Sequence, residues 1–183
     1  ASVANIEIPS DHAFLAAIYS ICKKYGIKYQ LSGSNFATEG ILPKSWGYNA
    51  KDLKHLKGIQ KEFGTQKLKT YPTLGLRKEL FSTYVRGIKM VRLLNFVPYN
   101  KPEAMKVIEN ELGWVYYGGK HYESIFTRFF QAYILPVKFN IDKRRAHYST
   151  MICSNQISRE EALEEMKKPT YPEDLLASDK EYV

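Results

Sequence analysis

The sequence predicts an α/β chain with a mainly helical second half, and three observations carry that prediction. Apolar residues recur at helical spacing in several segments. Two short apolar runs, 27–31 and 91–97, lie between such segments and read as strands. Beyond residue 97, capped helical patterns follow one another without a further strand pattern. Strands alternating with helices favour a parallel sheet, but two strands are too few for an independent doubly wound one.

Taken in order, Ser10 reads as the cap of a first helix. Phe14, Leu15, Ile18, Ile21, Cys22 and Tyr25 form its stripe, and Gly26 stops it. Ile27 to Leu31 reads as a strand that ends in Ser32-Gly33-Ser34-Asn35. Asn49 is the expected cap of a helix with Leu53, Leu56, Ile59 and Phe63 on one face. Leu76, Leu80, Tyr84 and Ile88 make a stripe at a spacing of four. Val91 to Val97 reads as a buried strand. Asn100-Lys-Pro-Glu103 is a capping-box-like start with proline in the first turn, and Gly113 closes that helix. An aromatic stripe from Ile125 to Ile134 reads as core, with Pro136 ending its helix. Ser158-Arg-Glu-Glu161 is a capping box for the last helix, and the tail beyond Pro169 is expected to be polar and loosely held.

The 183 residues, 44% hydrophobic and 25% charged, exclude a disordered chain. No stretch approaches the ~20 apolar residues of a membrane span. Two cysteines, Cys22 and Cys153, rule out a disulfide scaffold. Both lie in apolar patterns, so buried thiols in a reducing, cytoplasmic setting are expected. The histidines and cysteines lack metal-ligand spacing, so no metal site is expected. The chain starts at Ala1 with neither an initiator methionine nor a signal-peptide pattern, which suggests a processed or truncated polypeptide. The net charge of +8 is uneven: residues 158–183 hold four basic and eight acidic side chains, so the body is strongly basic. A basic body with an acidic tail suggests an anionic ligand. The alternative is a solvated lysine-rich surface, which suits Lys23, Lys24, Lys67 and Lys69.

Three constellations are candidates for chemistry. The first is Ser32 to Gly40, after a strand, where ligands of open α/β sheets bind. Its small residues allow close backbone approach, and Asn35, Thr38 and Glu39 supply polar groups. An ordinary strand-to-helix turn explains it equally well. The second is Tyr116 to Ser124. If a helix began near Gly119, Lys120 and His121 would oppose its dipole by ~0.3–1 kcal/mol each unless an anion sat there. If it begins at Ser124, Lys120 is simply solvated. The third is Asp142 to His147, where Lys143, Arg144 and Arg145 follow a capping aspartate. The two arginines would hold a carboxylate or diphosphate by forked hydrogen bonds, and His147 is a proton carrier or a structural donor. Structural ion pairs of Glu123 with Arg128 and of Asp142 with Arg145 are the rival account.

These residues also carry a resemblance. Asp11-His-Ala-Phe14, Leu31 to Pro43, Gly113 to Ser124, Phe126-Thr-Arg128, Phe139 to His147 and Ile157 to Ala162 together resemble the N-acetyl sugar amidotransferases of bacterial lipopolysaccharide O-antigen biosynthesis. The similarity spans about residues 8–169. That family belongs to the PP-loop ATP pyrophosphatase group, with an adenine nucleotide alpha hydrolase-like parallel sheet. The resemblance implies adenylation of an acetamido group on a nucleotide-activated diacetamido sugar. Ammonia from a HisH-like glutaminase subunit then displaces AMP and leaves an acetamidino group. ATP and Mg2+ are the cofactors implied for the full-length enzyme.

The family's Ser-Gly-Gly-x-Asp-Ser phosphate loop does not occur in these 183 residues. The chain is therefore expected to be the C-terminal portion of such an enzyme, inactive and without cofactor by itself. Residues 1–113 would be the remnant of the truncated PP-loop ATPase domain, and 114–183 a helical region with an acidic tail. By resemblance, Ser32, Gly33 and Asn35 line the nucleotide side. Lys120, His121 and Glu123 serve the reacting centre. Thr38, Glu39, Arg128, Lys143, Arg144, Arg145 and His147 hold the sugar's uronate or diphosphate. The alternative function is a basic RNA-binding module of a tRNA-modifying PP-loop enzyme. With no recognition-module signature present, neither nucleic acid nor membrane is the expected partner. A purely structural fragment is the third reading.

Overall fold

Helices dominate the chain, and a pair of strands gives it its α/β character. The computed structural model describes residues 4–119 and 122–183. They fall into two units, one formed by 1–33 with 44–93 and the other by 34–43 with 94–183.

In the first unit, helix α1 runs Ile8–Tyr25 and ends where Gly26 turns left-handed at φ 68°. Its cap is Glu7 rather than Ser10, with Pro9 in the first turn, where a missing N–H costs nothing. The buried line of α1 is Ile8, His12, Ala16 and Cys22, while Phe14, Ile21 and Tyr25 of the expected stripe are exposed. The difference comes from His12. Its Nδ1–H donates to the Ala50 carbonyl at 2.6 Å, and its Nε2 accepts the Leu74 N–H at 3.1 Å. A neutral imidazole thus satisfies two distant backbone groups, and this turns α1 toward them. Tyr71 stacks on the ring at 6.2 Å and donates its hydroxyl to the Pro9 carbonyl.

Strands β1, Tyr29–Ser32, and β2, Lys89–Arg92, pair in parallel with Tyr29 opposite Lys89 and Leu31 opposite Val91. Tyr29 and Leu31 are exposed. Helix α3, Leu53–Phe63, is capped by Asp52 instead of Asn49. Helix α4, Leu76–Leu80, runs into a π-helical turn over Phe81–Val85. That wider turn breaks the spacing of four: Ile88 is buried beyond the helix end, whereas Leu76, Leu80 and Tyr84 face solvent. The expected strand over 91–97 ends at Arg92, and Leu93–Asn95 coils into a 3-10 turn.

In the second unit, Asn35 caps the short helix α2, Phe36–Glu39. Asn100 caps α5, Lys101–Leu112, which closes at Gly113 (φ 66°) with the N–H groups of Gly113 and Trp114 returning to Glu109 and Ile108. Ser124 caps α6, Ile125–Phe129, which widens into a π-helical stretch over Phe130–Ile134 and continues as α7, Leu135–Phe139. Pro136 therefore does not end the helix. The π turn before it removes the clash between its ring and the preceding carbonyls. Asn140, left-handed at φ 55°, makes the stop. Helix α8, Lys143–Cys153, follows its Asp142 cap. Helix α9, Arg159–Lys167, opens on the capping box read from the sequence, with Ser158 and Glu161 bonded reciprocally. The expected loose tail is instead helix α10, Glu173–Tyr182. Phe130, Leu135, Ile141, Ala146, Met151, Ala162 and Tyr171 make the core of this unit. Cys22 is buried as expected, but Cys153 is exposed, because the apolar pattern around it belongs to neighbouring turns of α8. No helix among the described residues is long and apolar enough to cross a membrane.

Candidate functional site

The loop after β1 and helix α8 converge within the second unit. Asn35 is buried, and its Oδ1 accepts the Thr38 N–H at 2.9 Å and the Thr38 hydroxyl at 3.1 Å. Its carboxamide oxygen is thus spent on the α2 cap. The His147 Nδ1 donates to the Thr38 carbonyl at 3.1 Å, the Ser154 hydroxyl donates to the Ala37 carbonyl, and the Thr150 hydroxyl accepts the Ile41 N–H. Asn35, Thr38 and His147 therefore come together across 109 residues of chain. Glu39 is exposed beside Tyr99, where burial first and the Glu39 charge second push the phenol pKa up. Ser32 ends β1 and Gly33 follows it, both in the first unit.

The cations after Asp142 divide. Arg144 bonds to Asp142 through Nε at 3.1 Å and Nη2 at 2.8 Å, and its Nη1 donates to the Lys168 carbonyl at 2.8 Å. The Asp142 hydrogen bonds hold its guanidinium pKa up, against burial. The fork joins the α8 cap to the last carbonyls of α9. Asp142 pairs with Arg144, not Arg145, and Arg145 is exposed. Lys143 is half-buried in the first turn of α8.

Arg128 is likewise engaged. Its Nε and Nη2 meet Asp179 at 2.5 and 2.6 Å, and its Nη1 donates to the Tyr122 carbonyl at 3.3 Å. Asp179 is buried, and the Tyr171 hydroxyl donates to the same carboxylate. The Arg128 hydrogen bonds hold the Asp179 carboxyl below its ordinary value despite burial. Burial, followed by the Asp179 hydrogen bond, pushes Tyr171 up to about 12. Arg128 therefore pairs with Asp179, 51 residues on, rather than with Glu123. Sequence reasoning missed Asp179. The available signal was its position three and four residues after Leu176 and Leu175, on the apolar face of a helix.

Upstream of this clamp the chain carries packed rings. Trp114 lies 6.0 Å from Tyr116 and 5.5 Å from Tyr117, and the two tyrosines stack at 6.1 Å. Tyr116 is 50% exposed and Tyr117 44%. Burial raises the Tyr117 pKa first, then the charge and hydrogen bond of Glu123. Gly119 gives way to the Tyr122 ring, which would lie 2.9 Å from any Cβ placed there. Lys120 and His121 lie outside the described residues. Because Ser124 caps α6 through the Thr127 N–H, the helix starts later than a conflict between Lys120 and its dipole requires.

Residues 123–183 match the family model described as the C-terminal domain of WbpG-like LPS biosynthesis proteins. Residues 123–183, about a third of the chain, are thus similar to that domain. No curated protein and no solved structure matches the chain. The matched segment spans α6 to α10 and contains both ends of the Arg128–Asp179 clamp, the Arg144 fork, Glu123 and His147. The Asn35 loop and the Trp114–Tyr117 rings precede it.

The Asn35 loop offers no helix N-terminus long enough to hold a phosphate. Asn35 is spent on its cap, and the helix it opens has only four residues. Nor do three His, Cys, Asp or Glu side chains gather among the described residues as a set to hold a metal such as Mg2+.

Proposed function

We propose that this chain is the acceptor-sugar portion of an ATP-dependent amidotransferase that converts an acetamido group of a nucleotide-activated diacetamido sugar into an acetamidino group. The observation that carries the reading is the WbpG-like C-terminal domain at residues 123–183, which indicates a part in lipopolysaccharide biosynthesis. The resemblance of the blocks between residues 8 and 122 extends it toward the amidotransferase. In the full enzyme ATP supplies an adenylate leaving group, and a HisH-like glutaminase subunit supplies ammonia. The Ser-Gly-Gly-x-Asp-Ser phosphate loop does not occur in these residues, so the reading assigns this chain the sugar and not the adenylation step.

What this chain contributes is the holding of the sugar. Arg145 is the cation proposed for the uronate or diphosphate, since Arg128 and Arg144 bond to Asp179 and Asp142. Glu39 and His147 flank the same unit. Lys120 and Glu123 are proposed at the reacting centre, where fixed charge stabilises the transition state most.

The test is a product assay on the enzyme carrying its phosphate loop, with ATP, ammonium and a UDP-diacetamido sugar. The expected result is release of AMP and pyrophosphate together with replacement of the acetamido oxygen by an NH group, read by mass spectrometry. Release of AMP with the sugar unchanged overturns the reading.

A further inference from the structure

We propose that Trp114, Tyr116, Tyr117 and Glu123 form a platform for the pyranose ring of an acetamido sugar. The proposal deepens the reading above and rests on it for the identity of the sugar.

Half-exposed rings packed against one another present both apolar faces and polar edges. Tyr116 and Tyr117 stack at 6.1 Å, and Trp114 meets Tyr117 edge-on at 5.5 Å. Each phenol carries a hydroxyl at its rim and Trp114 an indole N–H, so the surface is amphipathic. A pyranose is amphipathic in the complementary way. One face exposes polarised C–H bonds, which suit the negative face of an aromatic ring, and the periphery exposes hydroxyls.

Glu123 decides which part of an activated sugar fits. Its exposed carboxylate lies in hydrogen-bonding reach of the Tyr117 hydroxyl. A carboxylate repels a diphosphate, so the platform takes an uncharged part of the ligand. A uracil edge presents one N–H flanked by two carbonyl oxygens, and those oxygens would face the carboxylate unfavourably. An acetamido sugar presents an amide N–H beside a hydroxyl, both donors, which suit a carboxylate acceptor.

The rings also have a built support. The Tyr122 ring packs over Gly119, the Tyr122 carbonyl accepts from Arg128, and the Tyr122 hydroxyl donates to the Thr170 carbonyl at 3.4 Å. Tyr122, close in sequence to the platform, is thus tied to the Arg128–Asp179 clamp.

Trp114 provides the readout. In a Trp46→Phe background of this chain, the single remaining tryptophan is titrated with methyl N-acetylglucosaminide, with UDP-N-acetylglucosamine and with UDP. The expected result is a saturable emission change with both sugars and none with UDP. Tyr116→Ala, checked for folding by circular dichroism, should weaken the glycoside by about tenfold, while Tyr116→Phe, which keeps the stacking face and loses only the rim hydroxyl, should weaken it less. Saturation by UDP without the glycoside, or no change with any of the three, overturns the platform. In the full-length product assay, an unchanged KM for Tyr116→Ala overturns the platform alone. Glycoside binding without any acetamidino product overturns the proposed reaction and leaves the platform standing.

Discussion

The two units hold their chain by opposite means. In the first, a neutral histidine gathers backbone: His12 satisfies Ala50 and Leu74, and Tyr71 bonds back to Pro9. Around that hub the unit leaves apolar side chains in water, among them Phe14, Ile21, Leu31 and Leu76, the last two at least 70% exposed. In the second, charge is buried and paired. Arg128 meets Asp179 with a two-point fork under a tyrosine hydroxyl, and Arg144 ties a helix cap to the end of another helix. The contrast shows that a basic composition does not by itself advertise ligand sites. Two of the arginines that best suit an anion are bonded to carboxylates of this chain.

The largest expected effect is at the clamp. Asp179→Asn, or Arg128→Met, leaves an uncompensated buried group and should destabilise the second unit by about 3–5 kcal/mol. Hydrogen exchange should show that loss across α6 and α10 and spare α1. The pH dependence has two limbs. Asp179 titrates below its ordinary 3.8 when folded, so its contribution is present above that value and is lost as pH falls through the depressed folded pKa. Tyr171 moves the other way, from 10.0 to about 12, so its contribution is full below pH 10 and is lost as pH rises toward 12. Denaturant midpoints across pH for the chain and for Tyr171→Phe check this, because the alkaline limb should shrink in the variant.

Next comes the hub of the first unit. His12→Leu strands the Leu74 N–H and the Ala50 carbonyl, at about 1–3 kcal/mol for each group left unpaired. Exchange at Leu74 should speed up while the α8 amides keep their protection. A spread of the loss into α8 would mean that the two regions are not separately held.

Smaller again is the tie between α2 and α8. Thr150→Val removes the acceptor for the Ile41 N–H, and about 1–2 kcal/mol is the expected loss in urea unfolding. Ser124→Ala, which removes the α6 cap, should cost about 1 kcal/mol. The smallest change is Lys51→Met. Its pair with Glu79 at 2.5 Å is partly exposed and should matter by less than about 1 kcal/mol, less still in high salt.

Much of the local structure was legible in the residues. Gly26 and Gly113 end their helices in left-handed turns, Asn100 and Asp142 cap theirs, and Ser158 with Glu161 forms its box. These signals act within a turn of chain, so spacing alone reveals them. The π-helical turns were not legible. They interrupt the helices before Pro136 and after Leu80, and they changed where Ile88 falls and let the helix run on past Pro136. The candidate site was legible by residue type and not by partner. His147 was marked as a donor or proton carrier, and it does bond to a carbonyl. Its partner, Thr38, lies 109 residues away in a different constellation.

The sequence by itself determined several helix caps and stops, that strands are few, and that the body is basic with an acidic tail. Only the tertiary structure decided which charges are committed. Asp179 reads as one more solvated acid in a polar tail until α10 folds onto α6 and places it in reach of Arg128. Caps and stops are set by bonds within a few residues, whereas an ion pair depends on which distant surfaces meet, and that depends on how the whole unit packs.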